Sequence, residues 1–301
     1  MADSDTATSQ VVVTVSRGTG AKITSLRAAG SEWLLQPNPE HPADGVGKGF
    51  IAAGLSGWDE CIPTIESCTL ADGTVVPDHG SVWDRVWHHG AHVARVVVPA
   101  SGFEFRREAR GEVGALVLHY AVRNTSARRV NLLWAAHPQL QAPPGTVVET
   151  STPHLMQTYP DVEATPPSST IAIDDVPVYA ARKFYTLPEA PAEFARIRRA
   201  DGQWLQFAWD PKLVPHLGIW LDAGAFAHRP VIAIEPCIGW YDNLCRAIGN
   251  HTSIELAPDE VRRWWIRLTA GTGTTPASSY GSLRSRTSPI DRGRREHSRH
   301  R

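Results

Sequence analysis

The chain has 301 residues, of which 42% are hydrophobic and 20% charged, enough to pack one large domain or two ordinary ones and too apolar for wholesale disorder. Thirty Lys and Arg against 31 Asp and Glu leave a net charge of −1, so no overall field points to nucleic acid or an anionic membrane. No apolar run approaches the roughly 20 residues of a membrane span. The polar start MADSDTATSQ lacks the basic and apolar regions of a secretory leader, so the expectation is a soluble, cytoplasmic protein.

The near-neutral total hides an asymmetry. From Gly271 onward seven Arg face only Asp291 and Glu296, which puts +5 on this tail and −6 on the rest. Segments 1–9 and 271–301 read as disordered ends around one domain over 10–270. Within it the pattern is β almost throughout: 10–17, 103–110, 115–123, 130–135, 204–209, 217–221, 231–234 and 264–269 are short runs of apolar, β-branched and aromatic residues. Turn residues separate them, as at Ser101-Gly102, Asp201-Gly202 and Ala223-Gly224. Over 103–110, Phe103, Phe105 and Arg107 share one face while Glu104, Arg106 and Glu108 share the other, the period of a half-buried strand. Segment 191–199 fits a short helix or an arginine-rich strand. No glycine-rich loop opens a helix, which argues against phosphate-loop and dinucleotide folds, and no fixed-period repeat marks a propeller or solenoid. The fold class expected is all-β, a large antiparallel sandwich.

Four segments hold polar residues in apolar or turn-like surroundings: 57–64, 77–83, 134–138 and 234–237. His137 and Glu235 each end an apolar run and are each followed by a proline, which places both titratable groups at strand ends on stiffened backbone. A buried Glu has its pKa raised by desolvation, and His titrates near neutrality without help, so the two suit acid–base work. Cys61 and Cys68 are seven apart and Cys237 and Cys245 eight apart, neither a zinc-type interval, and all four read as reduced thiols. His88 and His92 have a spacing that would share a metal on a helix, but 82–98 reads as strand, where they would lie about 13 Å apart.

These residues carry a resemblance. WDECIPTI, PDHGSVWDRVW, the W-x-x-HP around His137, KFYTL, PHLGIWLDAG and the IEPC around Glu235 follow in the order seen in the aldose 1-epimerase (galactose mutarotase-like) superfamily. The likeness runs from the strand at 20–26 to the closing 264–268. It implies a galactose mutarotase-like supersandwich with a sugar in a cleft on its concave face. It also implies that Glu235 takes the proton from the anomeric hydroxyl, that His137 protonates the ring oxygen, and that His79 contacts the sugar. Trp83, Trp134 and Trp220 would offer flat faces to sugar C–H bonds, and Asp59, Arg85 and Lys183 would reach hydroxyls. The aspartate that the family places before the glutamate has no aligned counterpart here; Asp210 and Asp222 are the candidates for it. The implied activity is anomer interconversion of a free aldohexose by a monomer or homodimer, with no metal and no cofactor. A hexose 6-phosphate variant would need Arg85, Lys183 or Arg182 to converge on a dianion. The remaining alternative is a non-catalytic sugar-binding protein.

Overall fold

The computed structural model describes residues 8–40 and 48–274. The expectations for 1–7 and 275–301 lie outside the described residues. The chain opens with Thr8–Ser9 (β1), Val12–Val15 (β2), Ile23–Ala28 (β3) and Ser31–Glu32 (β4), then crosses to Trp58–Cys61 (β5). Two hairpins follow, Cys68–Thr69 with Val75–Val76 (β6, β7) and His88–His89 with Val93–Val98 (β8, β9). The ten-residue strands Phe103–Glu112 (β10) and Ala115–Asn124 (β11) form a third. Next come Val130–Leu132 (β12), Trp134–Pro138 (β13), Leu140–Gln141 (β14), Val147–Thr150 (β15), Leu155–Tyr159 (β16), Glu163–Ala164 (β17) and Thr170–Ala172 (β18). Ala181–Thr186 (β19), Phe194–Arg198 (β20), Gln203–Ala208 (β21), His216–Asp222 (β22) and Val231–Ile238 (β23) lead to a short helix, Leu244–Gly249 (α1). Ile254–Leu256 (β24) and Val261–Thr272 (β25) close the chain.

Two large antiparallel sheets result. One runs β18-β15-β20-β21-β25-β11-β10-β9-β8, with β1 on β25; the other runs β17-β16-β19-β22-β23-β13-β5-β3-β2, with β14 on β23 and β4 on β3. The alternation read at 103–110 is what the first sheet uses: Phe103, Phe105 and Arg107 are buried while Arg106 is exposed. These residues meet Tyr120 and Trp264 of the neighbouring strands, and Trp58 and Trp134 of the other sheet, in one core between the sheets. The expected all-β sandwich is therefore the architecture found. No helix among the described residues is long and apolar enough to cross a membrane.

Several boundaries differ from the sequence reading. Thr8 and Ser9, set aside with the N-terminal end, pair with Gly271 and Ala270, and β25 carries the sheet on to Thr272. The run 130–135 is not one strand. It divides at Leu133, whose N–H donates to the Pro63 carbonyl; β12 pairs with β24 in a small separate sheet while β13 joins the second large one. Apolarity could not mark that break, because Leu132, Leu133 and Trp134 on either side of it are all apolar and buried. Segment 191–199 holds a strand, β20, rather than a helix. Pro138 and Pro236 do not stop their ladders: Pro138 pairs with Trp58, and Glu235 and Pro236 lie inside the eight-residue β23. Pairing of β13 to β23 lapses beyond Ala135–Cys237, and a proline is carried within a strand beside such a break.

Candidate active site

That lapse makes the site. On the outer face of the second sheet, register places Tyr185 opposite Gly218 and Gly218 opposite Glu235. Beyond the gap His137 stands opposite Asp59. Successive side chains alternate faces, so Tyr185, Gly218, Glu235, His137 and Asp59 form one row across five strands, with Lys183 and Trp220 in the next row on the same face. Gly218 is needed for closeness: a Cβ there would stand 3.0 Å from Tyr185 Cζ and 3.3 Å from Glu235 Oε2.

A cavity of about 440 Å³ opens over this row and is lined by His79, His137, Lys183, Trp220 and Glu235, within the ~300–1,000 Å³ of small-molecule sites. Glu235 is at its floor, with no exposed surface. Lys183 Nζ is 2.8 Å from Glu235 Oε2 and 2.7 Å from Asp242 Oδ1, and the Tyr185 hydroxyl donates to the same Asp242 oxygen at 3.0 Å. Glu235 Oε1 has no hydrogen-bond partner and lies 3.8 Å from His137 Nε2. The Gln139 amide N–H donates to His137 Nδ1 at 3.3 Å, which leaves the proton of the neutral ring on Nε2, facing Glu235.

Burial shifts both groups, in opposite senses. It pushes the Glu235 carboxyl above the usual value for Glu, only partly offset by the Lys183 charge. It pushes His137 well below the usual imidazole value, with His79, Lys183 and Lys22 adding to the shift. The two shifts run toward each other. Lys183 stays charged although burial opposes it, because Asp242 and Glu235 together raise its affinity for a proton.

His79 enters from the loop after β7. It has φ +56°, followed by Gly80 at +78°, and a Cβ on Gly80 would overlap the Ile62 carbonyl, so only glycine lets the loop close against β5. His79 Nδ1–H donates to Asp78 Oδ2 at 2.8 Å, leaving Nε2 toward the cavity. Phe50 lies flat on the His79 ring, with centroids 3.7 Å apart, and edge-on to His137 at 5.5 Å.

Four of the residues read as substrate contacts do not line the cavity. Trp134 is buried between the sheets, packed on Tyr120 and Trp264, with its Nε1–H donating to Glu60 Oε2 at 2.9 Å. Its place three residues before His137 puts it on the opposite face of the strand, a parity the sequence already carried. Asp59 is buried against Lys22 at 2.9 Å, one strand behind His137. Trp83 is buried beside Phe50 rather than against the cavity. Arg85 donates to the Ser81 carbonyl, away from the site. Asp222 caps its own loop, accepting from the N–H groups of Gly224, Ala225, Phe226 and Ala227, and Asp210 accepts from Lys212 N–H in a turn. Asp242, Tyr185, Gln139, Phe50 and the rim residues Tyr159 and Phe226 were not singled out. Parity with Lys183 and His137 could have flagged Tyr185 and Gln139; Asp242 and Phe50 carried no local signal.

No protein-family model matches the chain, and no curated protein matches it by sequence. Solved structures do match. The Slr1438 protein of Synechocystis sp. PCC 6803 superposes with a TM-score of 0.68 at 13% identity, covering 89% of this chain and 96% of its own. A galactose mutarotase related enzyme from Lactobacillus acidophilus gives 0.64 at 16% identity, over 87% and 95%. A galactose mutarotase-like protein from Clostridium acetobutylicum gives 0.66 at 14%, over 87% and 93%. The chain has the galactose mutarotase-like fold, as the sequence resemblance implied.

Proposed function

We propose that this protein is an aldose 1-epimerase, interconverting the α and β anomers of an uncharged aldohexose by acid–base ring opening. One observation carries the reading: the partnerless Glu235 Oε1 and the His137 Nε2–H stand 3.8 Å apart at the floor of a sugar-sized cavity. Opening a hemiacetal removes a proton from O1 and delivers one to the ring oxygen, two neighbouring oxygens of one substrate. The working form is the ion pair: ionised Glu235 takes the first, and His137, as the imidazolium, gives the second from Nε2 and is left neutral. Rotation about C1–C2 presents the other face of the aldehyde, and reclosure runs both transfers backward. Burial moves Glu235 up and His137 down, each toward the other, which suits an exchange that runs in both directions. Lys183 holds Glu235 by its other oxygen and so aims Oε1.

Charge favours a free sugar over a sugar phosphate. The cavity lining carries Glu66, Asp78, Glu235 and Asp242 against Lys183 and Arg246, an excess of negative charge that repels a dianion. Trp220 packs between Tyr159 and Phe226 at the rim, an apolar surface suited to sugar C–H groups. The cysteines carry free thiols, in keeping with a reducing cytoplasm. The test is polarimetry or NMR exchange on freshly dissolved α-glucose, α-galactose and their 6-phosphates. Acceleration of the free sugars, lost in Glu235→Gln and His137→Asn, is expected. No acceleration of any sugar by the wild type sinks the enzyme reading, and a preference for the phosphates overturns the charge argument.

A further inference from the structure

Behind the two histidines of the cavity lies a buried thiol that anomer exchange does not use. Cys61, at the end of β5, is diagonal to His137 across the β5–β13 ladder, and the Ile62–Gly80 bridge brings His79 beside it. One donor atom from each of Cys61, His79 and His137 lies within 4.8 Å of the others. We infer that Cys61, His79 and His137 bind a thiophilic divalent transition ion, Zn²⁺, and that the bound ion excludes the sugar. The second half of this rests on the function proposed above; the first does not.

The donor set is one thiolate and two imidazoles, a combination that Zn²⁺ takes readily, with a fourth position left open. Glu235 Oε1, buried and without a hydrogen-bond partner, stands beside His137 Nε2 and is available for that position. Bonds of about 2.1 Å to nitrogen and 2.3 Å to sulfur set tetrahedral donors roughly 3.5 Å apart. The trio therefore closes by about 1 Å on binding, a movement supplied by His79, its one loop member.

The groups behind the donors already have the form a metal site requires. Asp78 accepts from His79 Nδ1–H and leaves Nε2 as the ligand atom, the carboxylate–histidine pairing that orients metal-bound imidazoles. Gln139 Oε1 is buried with no partner. Turning that amide over lets Oε1 accept from His137 Nδ1–H, which frees Nε2 for the ion. Charge also fits: the ion pairs around the trio hold four carboxylates, Asp59, Asp78, Glu235 and Asp242, and two ammonium groups, Lys22 and Lys183. That excess of negative charge accommodates a dication. Binding releases one proton, from the Cys61 thiol to solvent, and both imidazoles bind neutral.

The experiment titrates the chelator-treated full chain with Co²⁺. One equivalent is expected to give a thiolate-to-cobalt charge-transfer band in the near ultraviolet and the intense visible bands of a four-coordinate ion, both abolished by Zn²⁺. Cys61→Ser should lose the charge-transfer band and bind about 10-fold more weakly or worse, and Asp78→Asn should weaken binding about 10–100-fold. Cys237→Ala, which removes the buried thiol on the far side of Ala135, should change nothing. A wild type without the band, or a Cys61→Ser that keeps it, overturns the site, with circular dichroism establishing that the variants are folded. Zn²⁺ should also stop anomer exchange by the wild type, reversibly with chelator, and act on Cys61→Ser only at about 10-fold higher concentration. A protein that binds Co²⁺ as expected but exchanges no anomers keeps the metal site and loses the proposed function. Turnover unaffected by bound Zn²⁺ overturns the exclusion.

Discussion

Glu60 and Glu235 are both fully buried carboxylates of the same sheet, one on each of its faces. Glu60 points between the sheets, where Arg107 donates to it at 2.8 Å, Trp134 at 2.9 Å and Tyr120 at 3.3 Å. Arg107 is itself tied to the Ala21 carbonyl. Glu235 points outward, with Lys183 on one oxygen and nothing on the other. Burial raises the proton affinity of both. What separates them is unused hydrogen-bonding capacity: Glu60 has donors on both oxygens and serves the fold, whereas Glu235 keeps one oxygen for a substrate proton.

The comparison breaks most visibly by removing each charge. Glu235→Gln should lower the rate of anomer exchange about 10²–10⁴-fold with little loss of stability. Glu60→Gln should leave Arg107 as an unpaired buried charge and cost about 3–5 kcal/mol, read as a lower urea midpoint. Equal effects of the two changes on both activity and stability would erase the distinction.

His216 extends the comparison, because its ring is on the Glu235 face, buried, with Nδ1 lacking a partner. Burial lowers its pKa to about 4. A depressed folded value means that the unfolded chain takes up the proton first, so stability is full above about 6.5 and is lost as pH falls toward 4, by roughly 3 kcal/mol in all. His216→Leu should flatten that part of the stability–pH curve; an unchanged slope would mean that His216 is not its source.

Lys183 tests how Glu235 is tuned. Because burial raises the carboxyl, the rate should fall as pH drops through a midpoint above 4.5, where the base takes up its proton. Lys183→Met removes the charge that opposes this shift and should move the acid limb of the pH–rate profile upward by about one unit. A limb that stays in place would show that Lys183 serves only as packing. The smallest effect is expected at the rim: Trp220→Ala should raise KM by an amount worth about 1 kcal/mol while kcat holds, and an equal fall in kcat would place the indole nearer the chemistry.

Strand periodicity carried much of the fold. The buried Phe103, Phe105 and Arg107 could be named from alternation alone, because a strand with one face in a core repeats every two residues. The run could not be divided at Leu133 by the same means, since Leu132 to Ala136 are all apolar and buried and offer no polar face to set a phase. At the site, motif order singled out His79, His137, Lys183, Trp220 and Glu235, which all line one cavity. It misassigned Trp134, whose motif position near His137 said nothing about which side of the sheet it faces.

By itself, then, the sequence determined an antiparallel β chain and the residue types available for acid–base work, since both follow from local pattern. Only the tertiary structure decided which carboxylate is left short of partners. Asp242 meets Lys183 from 59 positions along the chain, and Arg107 reaches Glu60 from the opposite sheet. Hydrogen-bond satisfaction is a property of such long-range contacts, and it is what distinguishes a carboxylate that holds the core together from one that can move a proton.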